Sequence, residues 1–251
     1  MYGPAICTAC ACAVGGFVYV IGGTNDHDRL SNSTWILSIQ SRIWQKGPDI
    51  LRARSNASCV VVKDKIYLLG GSDDKGNLSC CEVLDIRSQN PEWRYISPMN
   101  KARSSFSVAT HADCLHVFGG MIGWKESNSA EKYDPIIDSW TALPSMQVGR
   151  ENSYAGVFHG KILVAGGSST NSVEEFHPRN NTWTYLPEIP IQQTGGVMAT
   201  VGENLILGGG ANYRNVELFD NKKRLWTTRK TKYCSLSDVF NGKHRLTLLI
   251  Q

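Results

Sequence analysis

The sequence has no long hydrophobic run and little net charge. No apolar stretch in its 251 residues approaches the roughly 18 residues of a membrane-spanning helix, so we expect no membrane partner. The formal net charge is +4 at pH 7, which is too small to indicate a nucleic-acid partner. The first twelve residues lack the basic flank and apolar segment of a secretory signal. We therefore expect a cytoplasmic location, with cytoskeletal and nuclear locations as alternatives.

Catalytic and cofactor motifs are also missing. The chain has no phosphate-binding loop or dinucleotide fingerprint, and its six histidines are spread along the repeats rather than grouped with a nucleophile. Cys7, Cys10 and Cys12 lie close together, but zinc needs about four ligands and no second paired motif follows. We expect free thiols and interpret Cys7, Cys10 and Cys12 as small core residues, with one of Cys80 and Cys81 as a partly exposed, redox-sensitive alternative. The sequence thus predicts a non-enzyme that needs no cofactor and no metal.

Two markers recur along the chain at one period of 43 to 49 residues. The first marker is a pair of glycines, found at Gly22 and Gly23, Gly70 and Gly71, Gly119 and Gly120, Gly166 and Gly167, and Gly209 and Gly210. The second marker is a tryptophan that follows each pair, namely Trp44, Trp93, Trp140, Trp183 and Trp226. A fixed period in this range indicates a solenoid or a propeller.

Each repeat reads as four short antiparallel strands, which we name a to d. In the third repeat, strand a begins at Arg103, strand b ends at the glycine pair, strand c begins at Glu131 and strand d begins at Trp140. Turn residues separate these runs. The repeats cover residues 5–49, 53–99, 102–146, 149–190 and 192–230, with a partial copy at 231–251. We therefore treat residues 1–251 as one domain.

The glycines and tryptophans are interpreted as structural residues. Strand b is almost continuously apolar, which is typical of a strand covered on both faces. Glycines at its end allow unusual backbone angles and a close approach of the neighbouring repeat. One tryptophan per repeat would fill the gap between adjacent sheets.

The order of Gly-Gly, Glu-x-aromatic-Asp, Trp and Pro within this period resembles the Kelch repeat. That resemblance implies an all-β fold, a six-bladed β-propeller with one four-stranded blade per repeat. We expect five full blades and an incomplete sixth, because residues 232–243 align with strand a and its turn but no glycine pair or tryptophan follows. A trimmed boundary, a short isoform and an unusual ring closure are three explanations for the incomplete blade.

The connectivity places the d–a and b–c loops on one face of the propeller. Strand a starts on this face at Ile6, Arg54, Arg103, Arg150, Gln193 and Lys232, and four of these six residues are basic. In the BTB-Kelch family, which these repeats resemble, arginines at this position bind acidic peptide segments. The resemblance therefore implies partner binding by Arg54, Arg103 and Arg150, and less directly by Lys232. Gln193 joins the expected partner-binding set by its position in the ring alone, and Trp124 and Tyr213 join it as aromatic anchors because they lie on the b–c loops.

Each of these assignments has a structural alternative. The arginines could instead tie their own loops through carbonyl groups or a neighbouring aspartate, and the two aromatic side chains could fold over their own blades. The resemblance implies a substrate-recognition domain of a cullin-RING ubiquitin ligase adaptor, whose BTB domain, absent from this chain, would contact the cullin. The alternative is an actin-binding cytoskeletal module. Both functions require a protein or peptide partner.

Overall fold

The computed structural model describes residues 7–192, 194–201, 204–208 and 215–230. Within these ranges the chain is all-β and contains no helix. It forms five four-stranded antiparallel sheets, one for each full repeat. These sheets are the five blades of a β-propeller, as the repeats predicted.

The strands of each blade follow one another in the order a, b, c and d. Blade 1 contains Cys10–Val14, Phe17–Ile21, Thr34–Ser38 and Trp44–Lys46. Blade 2 contains Ser58–Val62, Lys65–Leu69, Cys81–Asp85 and Trp93–Ile96. Blade 3 contains Ser107–His111, Cys114–Phe118, Ala130–Asp134 and Ser139–Leu143. Blade 4 contains Tyr154–Phe158, Lys161–Ala165, Val173–His177 and Thr182–Leu186, and blade 5 contains Val197–Val201, Asn204–Gly208, Asn215–Asp220 and Leu225–Lys230.

Strand a is the innermost strand of each blade. Within a sheet the strands pair in chain order, and strand a of each described blade contacts strand a of the next. The a–b connections are tight hairpins; in blade 3 the two turn residues Ala112 and Asp113 have φ angles of 51° and 60°. Two consecutive positive φ angles match the right-handed twist of the flanking strands.

The hydrophobic core lies between the blades. Successive side chains of strand b point to opposite faces of its sheet, so each strand b contributes to two interfaces. In blade 2, Ile66 and Leu68 pack against blade 1, whereas Tyr67 and Leu69 pack against blade 3. This double coverage explains why strand b is apolar almost throughout.

The tryptophans at the start of strand d link neighbouring blades. In blades 2 to 5 the indole N–H donates a hydrogen bond to a backbone carbonyl of the preceding blade, four residues after that blade's own tryptophan. The bonds join Trp93 to Pro48, Trp140 to Ser97, Trp183 to Pro144 and Trp226 to Pro187, at N···O distances of 2.8 to 3.1 Å. The repeated tryptophan therefore fixes one blade to the next as well as filling space.

The glycine pairs receive the start of the following blade. The N–H groups of Gly23, Gly71 and Gly120 donate to the carbonyl oxygens of Arg54, Arg103 and Arg150, respectively, at 2.8 to 2.9 Å. Gly70 has a φ of +53°, and a Cβ at this position would lie 2.6 Å from the Arg103 oxygen. Only glycine tolerates both the angle and the approach. The corresponding Gly209 and Gly210 lie outside the described residues.

The incomplete sixth blade predicted for residues 231–251 also lies outside the described residues. Among the residues that the structure describes, no helix could span a lipid bilayer.

Candidate partner-binding face

The three arginines that were expected to begin strand a are completely buried, and each lies four residues before that strand. Arg54, Arg103 and Arg150 each expose 0% of their surface. The Arg103 Nη1 group donates to the carbonyl oxygens of Gly119 at 2.7 Å and Ser129 at 3.2 Å. Arg54 and Arg150 make the equivalent bonds in blades 2 and 4. Each arginine thus holds strand b and the b–c loop of its own blade.

Each of these arginines is paired with a buried glutamate of strand c. The Nη2 to Oε1 distances are 2.5 Å for Arg54 and Glu82, 2.7 Å for Arg103 and Glu131, and 2.6 Å for Arg150 and Glu174. We call these three pairs the Arg–Glu braces. Burial lowers the pKa of Arg103 and of Arg150, which reflects the cost of moving a cation out of water.

The glutamates of the braces also hold the incoming d–a loops. Glu131 accepts hydrogen bonds from the backbone N–H groups of Asn100 at 2.8 Å and Lys101 at 3.2 Å. Glu174 accepts from Gln147 at 2.6 Å and Val148 at 3.1 Å. One buried ion pair therefore fixes a b–c loop and a d–a loop relative to each other.

The partner-binding role expected for Arg54, Arg103 and Arg150 needs correction. A guanidinium group without exposed surface cannot meet a partner, and the Nη groups of each arginine donate to two carbonyls and a carboxylate of its own blade. The geometry favours the alternative in which each arginine ties its own loops, through a glutamate rather than an aspartate. Of the other expected site residues, Gln193, Lys232 and Tyr213 lie outside the described residues.

The surface beside strand a is instead formed by residues two positions beyond these arginines. Backbone N–H groups of Asn56, Ser105, Asn152 and Gly195 donate in turn to the carbonyls of Thr8, Asn56, Ser105 and Asn152, at 2.8 to 3.0 Å. We call these five residues the mouth ring: Thr8, Asn56, Ser105, Asn152 and Gly195. All five have φ angles between 51° and 65°. Their short side chains are at least partly exposed where present.

The b–c loops stand around the mouth ring and are linked to one another. Two of them form short ribbons, Ser72–Asp73 with Gly76–Asn77 in blade 2 and Met121–Ile122 with Lys125–Glu126 in blade 3. The Asn77 side chain donates to the Met121 carbonyl, and the Ser169 hydroxyl of blade 4 donates to Glu126. We call the b–c loops of blades 2 to 4 the crown. These bonds give it a preformed shape.

Trp124 lies at the tip of the blade 3 ribbon and is 98% exposed. It lies in the turn that joins Met121–Ile122 to Lys125–Glu126. The alternative, that this ring folds over its own blade, does not fit such exposure. Trp124 is therefore the one expected anchor among the described site residues that the structure leaves available to a partner.

The charges on this face are mixed in sign. Between blades 1 and 2, Asp28, Arg29, Arg52, Asp73 and Asp74 line an open cleft of about 540 Å³. Arg52 Nε donates to the Asp73 carboxylate at 2.9 Å. Desolvation opposes ionisation of Asp73, but hydrogen bonds from the Lys75 backbone and from Arg52 lower its pKa overall. Exposed cations among the described residues of this face include Arg29, Lys75, Lys101 and Lys125.

No group of three or more histidine, cysteine or acidic residues in the described ranges is arranged to hold a metal ion. The polar side chains of the face are short alcohols and amides together with charged loop residues. Such groups can bind another molecule by hydrogen bonds and ion pairs.

A protein-family model described as the KLHDC2/KLHL20/DRC7 Kelch-repeats domain matches residues 7–210. The chain belongs to the Kelch-repeat family. Kelch propellers generally serve as non-catalytic interaction domains that bind other proteins, and this Kelch chain is a protein-interaction module.

Curated relatives of this Kelch chain come from diverse organisms. Beta-scruin of Limulus polyphemus is 30% identical over 61% of this chain and 18% of its own length. Kelch-like protein 38 of Rattus norvegicus is 31% identical over 52% of this chain and 23% of its own length. Kelch repeat and BTB domain-containing protein 1 of camelpox virus is 30% identical over 61% of this chain and 28% of its own length. The chain therefore spans less than a third of each of these relatives.

Sequence reasoning missed the braces and the mouth ring, although one signal for the braces was available. Arginine at the start of strand a and glutamate at the start of strand c occur together in repeats 2, 3 and 4. In repeat 1 both are replaced, by Ile6 and Trp35. Residues that change together between repeats are expected to touch.

Proposed function

We propose that this chain is the substrate-recognition domain of a cullin-RING ubiquitin ligase adaptor, and that it binds a peptide segment of its substrate on the face of the d–a and b–c loops. The observation that carries the proposal is Trp124, 98% exposed on a cross-linked crown beside the polar mouth ring. The relatives named Kelch-like and BTB domain-containing support the assignment. The cullin contact would belong to a BTB domain elsewhere in such a protein.

Trp124 is proposed as the anchor of this interaction. A large aromatic side chain in solvent has little reason to be exposed unless it is covered in a complex, and tryptophan is among the residues that contribute most to interfaces. The ribbon that carries it is tied to blades 2 and 4. A rigid support reduces the entropy lost when a partner binds.

The acidic character proposed for the peptide depends on exposed cations rather than on the buried arginines. Lys75, Lys101 and Lys125 lie on the loops of blades 2 and 3, and Lys125 directly follows Trp124. An acidic segment crossing the mouth ring would meet these ammonium groups. Its backbone could hydrogen-bond to the side chains of Asn56 and Asn152.

The test is an affinity capture from cell lysate followed by mass spectrometry. The bait proteins are the wild-type chain, Trp124→Ala, and a matched control, Ile136→Ala, in the c–d turn on the opposite face, where Ile136 is 88% exposed. We expect a protein with an acidic segment to be lost with Trp124→Ala and retained with Ile136→Ala. Equal recovery by all three baits would place the binding site elsewhere.

An actin-binding cytoskeletal module is the second candidate, which the similarity to beta-scruin favours. Such a module should present a broad basic surface, whereas the described loops carry charges of both signs. Co-sedimentation with actin filaments at low and high salt separates the two functions. Salt-sensitive pelleting that Trp124→Ala does not change would favour the cytoskeletal function over the ligase function.

A further inference from the structure

Three cysteine thiols meet between the innermost strands of blades 1 and 2. Cys10 and Cys12 point to the same side of their strand because they are two residues apart, and Cys59 lies in strand a of blade 2. All three pack against the cluster that contains Ile21 and Leu68. Cys59 is close enough to Cys10 and Cys12 for both to raise the pKa of its thiol, and all three cysteines are free.

We propose that Cys59 is an oxidation site that forms a disulfide with Cys10 or Cys12 and thereby joins blade 1 covalently to blade 2. The three cysteines pack against one cluster between two strands that are already in contact, so the bond would join neighbouring parts of the two blades. The packing of strand a against strand a brings together cysteines that are 47 to 49 residues apart in the sequence. This modification is independent of the function proposed above.

Hydrogen peroxide is an oxidant that balances the reaction. One thiolate attacks a peroxide oxygen and becomes a sulfenic acid, while the other oxygen leaves as water. The second thiol then attacks the sulfenic sulfur, the S–S bond forms, and a second water leaves. In total the two thiols lose two protons and two electrons, and the peroxide is reduced to two waters. None of the three cysteine residues is fully buried, so a molecule as small as peroxide can approach the thiols.

The environment of Cys59 suggests the order of these steps. Hydrogen bonds with Cys10 and Cys12, followed by burial, raise the pKa of the Cys59 thiol well above its ordinary value. Because the thiolate is the reactive form, Cys59 is the slower nucleophile at neutral pH. We expect Cys10 or Cys12 to react first with peroxide, and the disulfide to form faster at pH 9 than at pH 7.

The position of the bond relates it to the mouth ring. Asn56 lies three residues before Cys59, and its N–H donates to the carbonyl of Thr8, two residues before Cys10. A disulfide between these strands would hold this joint of the mouth ring closed. Oxidation would therefore stiffen the part of the loop face that lies between blades 1 and 2.

Peptide mapping of the whole chain tests the proposal. The folded protein is treated with hydrogen peroxide, remaining thiols are alkylated, and the digest is analysed by mass spectrometry without reduction. We expect a peptide containing Cys59 linked to the peptide containing Cys10 and Cys12. Cys59→Ala should remove the linked peptide, whereas Cys114→Ser, in strand b of blade 3, should leave it in place. The Cys10→Ser/Cys12→Ser double variant should also remove it.

Thermal unfolding provides a second readout that does not depend on the variants. The oxidised wild-type chain should unfold about 4 to 10 °C above the reduced chain, and a reductant should abolish the difference. If Cys59 remains free at a peroxide dose that fully oxidises the exposed Cys7, the proposal is overturned. A disulfide from Cys59 mainly to Cys80 or Cys114 would overturn it equally.

Discussion

Blades 2, 3 and 4 differ from blade 1 in the residues that occupy two matching positions of the repeat. Each of the three carries an Arg–Glu brace, in which a fully buried arginine meets a buried glutamate of strand c. In blade 1 the sequence has Ile6 and Trp35 at these positions, and Trp35 pairs with Val20 as Glu82 pairs with Leu68. Blade 1 nevertheless forms all four strands.

The comparison separates what makes a blade from what positions its loops. Glycine pairs, strand pairing and the positive φ angles of the mouth ring occur with and without a brace. In each braced blade a carboxylate accepts hydrogen bonds from the incoming d–a loop. A buried ion pair is weak evidence for net stability, so we attribute to the braces the fixed arrangement of loops on the binding face.

The largest expected loss of unfolding free energy comes from removing one partner of an Arg–Glu brace. Arg103→Met leaves the Glu131 carboxylate buried without its cation, which should cost about 3–5 kcal/mol of unfolding free energy. Urea denaturation measures this loss. The control is Lys63→Met, which breaks the solvent-exposed pair with Asp113 and should cost less than about 1 kcal/mol.

Removing both partners sharpens the same comparison. Arg103→Met combined with Glu131→Leu gives blade 3 an apolar pair, as blade 1 has by sequence. We expect part of the lost stability to return because no unpaired charge stays buried, whereas the backbone carbonyl and N–H groups that the brace holds lose their partners. A double variant as unstable as Arg103→Met alone would show that the brace stabilises the fold in its own right.

The second-largest expected loss of unfolding free energy concerns the glycine pairs, which occur both in the braced blades and in blade 1. An alanine Cβ at Gly70 or Gly22 would lie 2.6 or 2.7 Å from the carbonyl oxygen of the next blade's arginine, at a positive φ. We expect Gly70→Ala and Gly22→Ala each to cost about 2–4 kcal/mol. Gly123→Ala, with a φ of +61° and open space around it, should cost only about 1–2 kcal/mol. Chemical denaturation of the three variants gives the difference, and equal costs would argue against close blade contact.

The glycines and the arginines also show what sequence can and cannot provide. The pairing of Gly71 with Arg103 could be anticipated, because both positions recur at a fixed spacing and the fold follows from that period. The direction of the Arg103 side chain could not be derived from Arg103 alone. An arginine at the start of strand a can turn to solvent or back into its blade, and Glu131, 28 residues later, decides between them. The mouth ring depends on contacts between blades, which no single repeat encodes.

The third prediction concerns His116, which occupies a position of strand b where the other blades have different residues. His116 is buried in blade 3, where blade 4 has Leu163 and blade 2 has Tyr67. Burial, with smaller contributions from His111 and Lys132, lowers the pKa of His116 to about 4, although a hydrogen bond with the Cys114 backbone opposes the shift. As the pH falls from about 6.5 to 4, His116 therefore becomes protonated in the unfolded chain before it becomes protonated in the folded protein.

The contribution of His116 to the unfolding free energy should therefore be fully present above about pH 6.5 and should be lost as the pH falls toward 4. We expect His116 to account for about 2–3 kcal/mol of the loss between pH 7 and pH 4. His116→Leu, which copies blade 4, should lose that much less over the same range, because the acidic groups common to both proteins cancel. Equal pH dependence of urea unfolding in the two proteins would contradict the assignment.

The smallest effect should have the opposite sign and concerns the mouth ring. Thr8 of blade 1 has a φ of 54°, while the matching residues of blades 2 and 4 are Asn56 and Asn152. A β-branched side chain is unfavourable at positive φ, and asparagine is among the residues that tolerate it best. Because Thr8 is exposed, Thr8→Asn removes few contacts and should raise the unfolding free energy by about 0.5–1 kcal/mol. Thr24→Asn, at a position without a positive φ, should bring no gain, and a similar increase in both variants would show that backbone strain at Thr8 is not the cause.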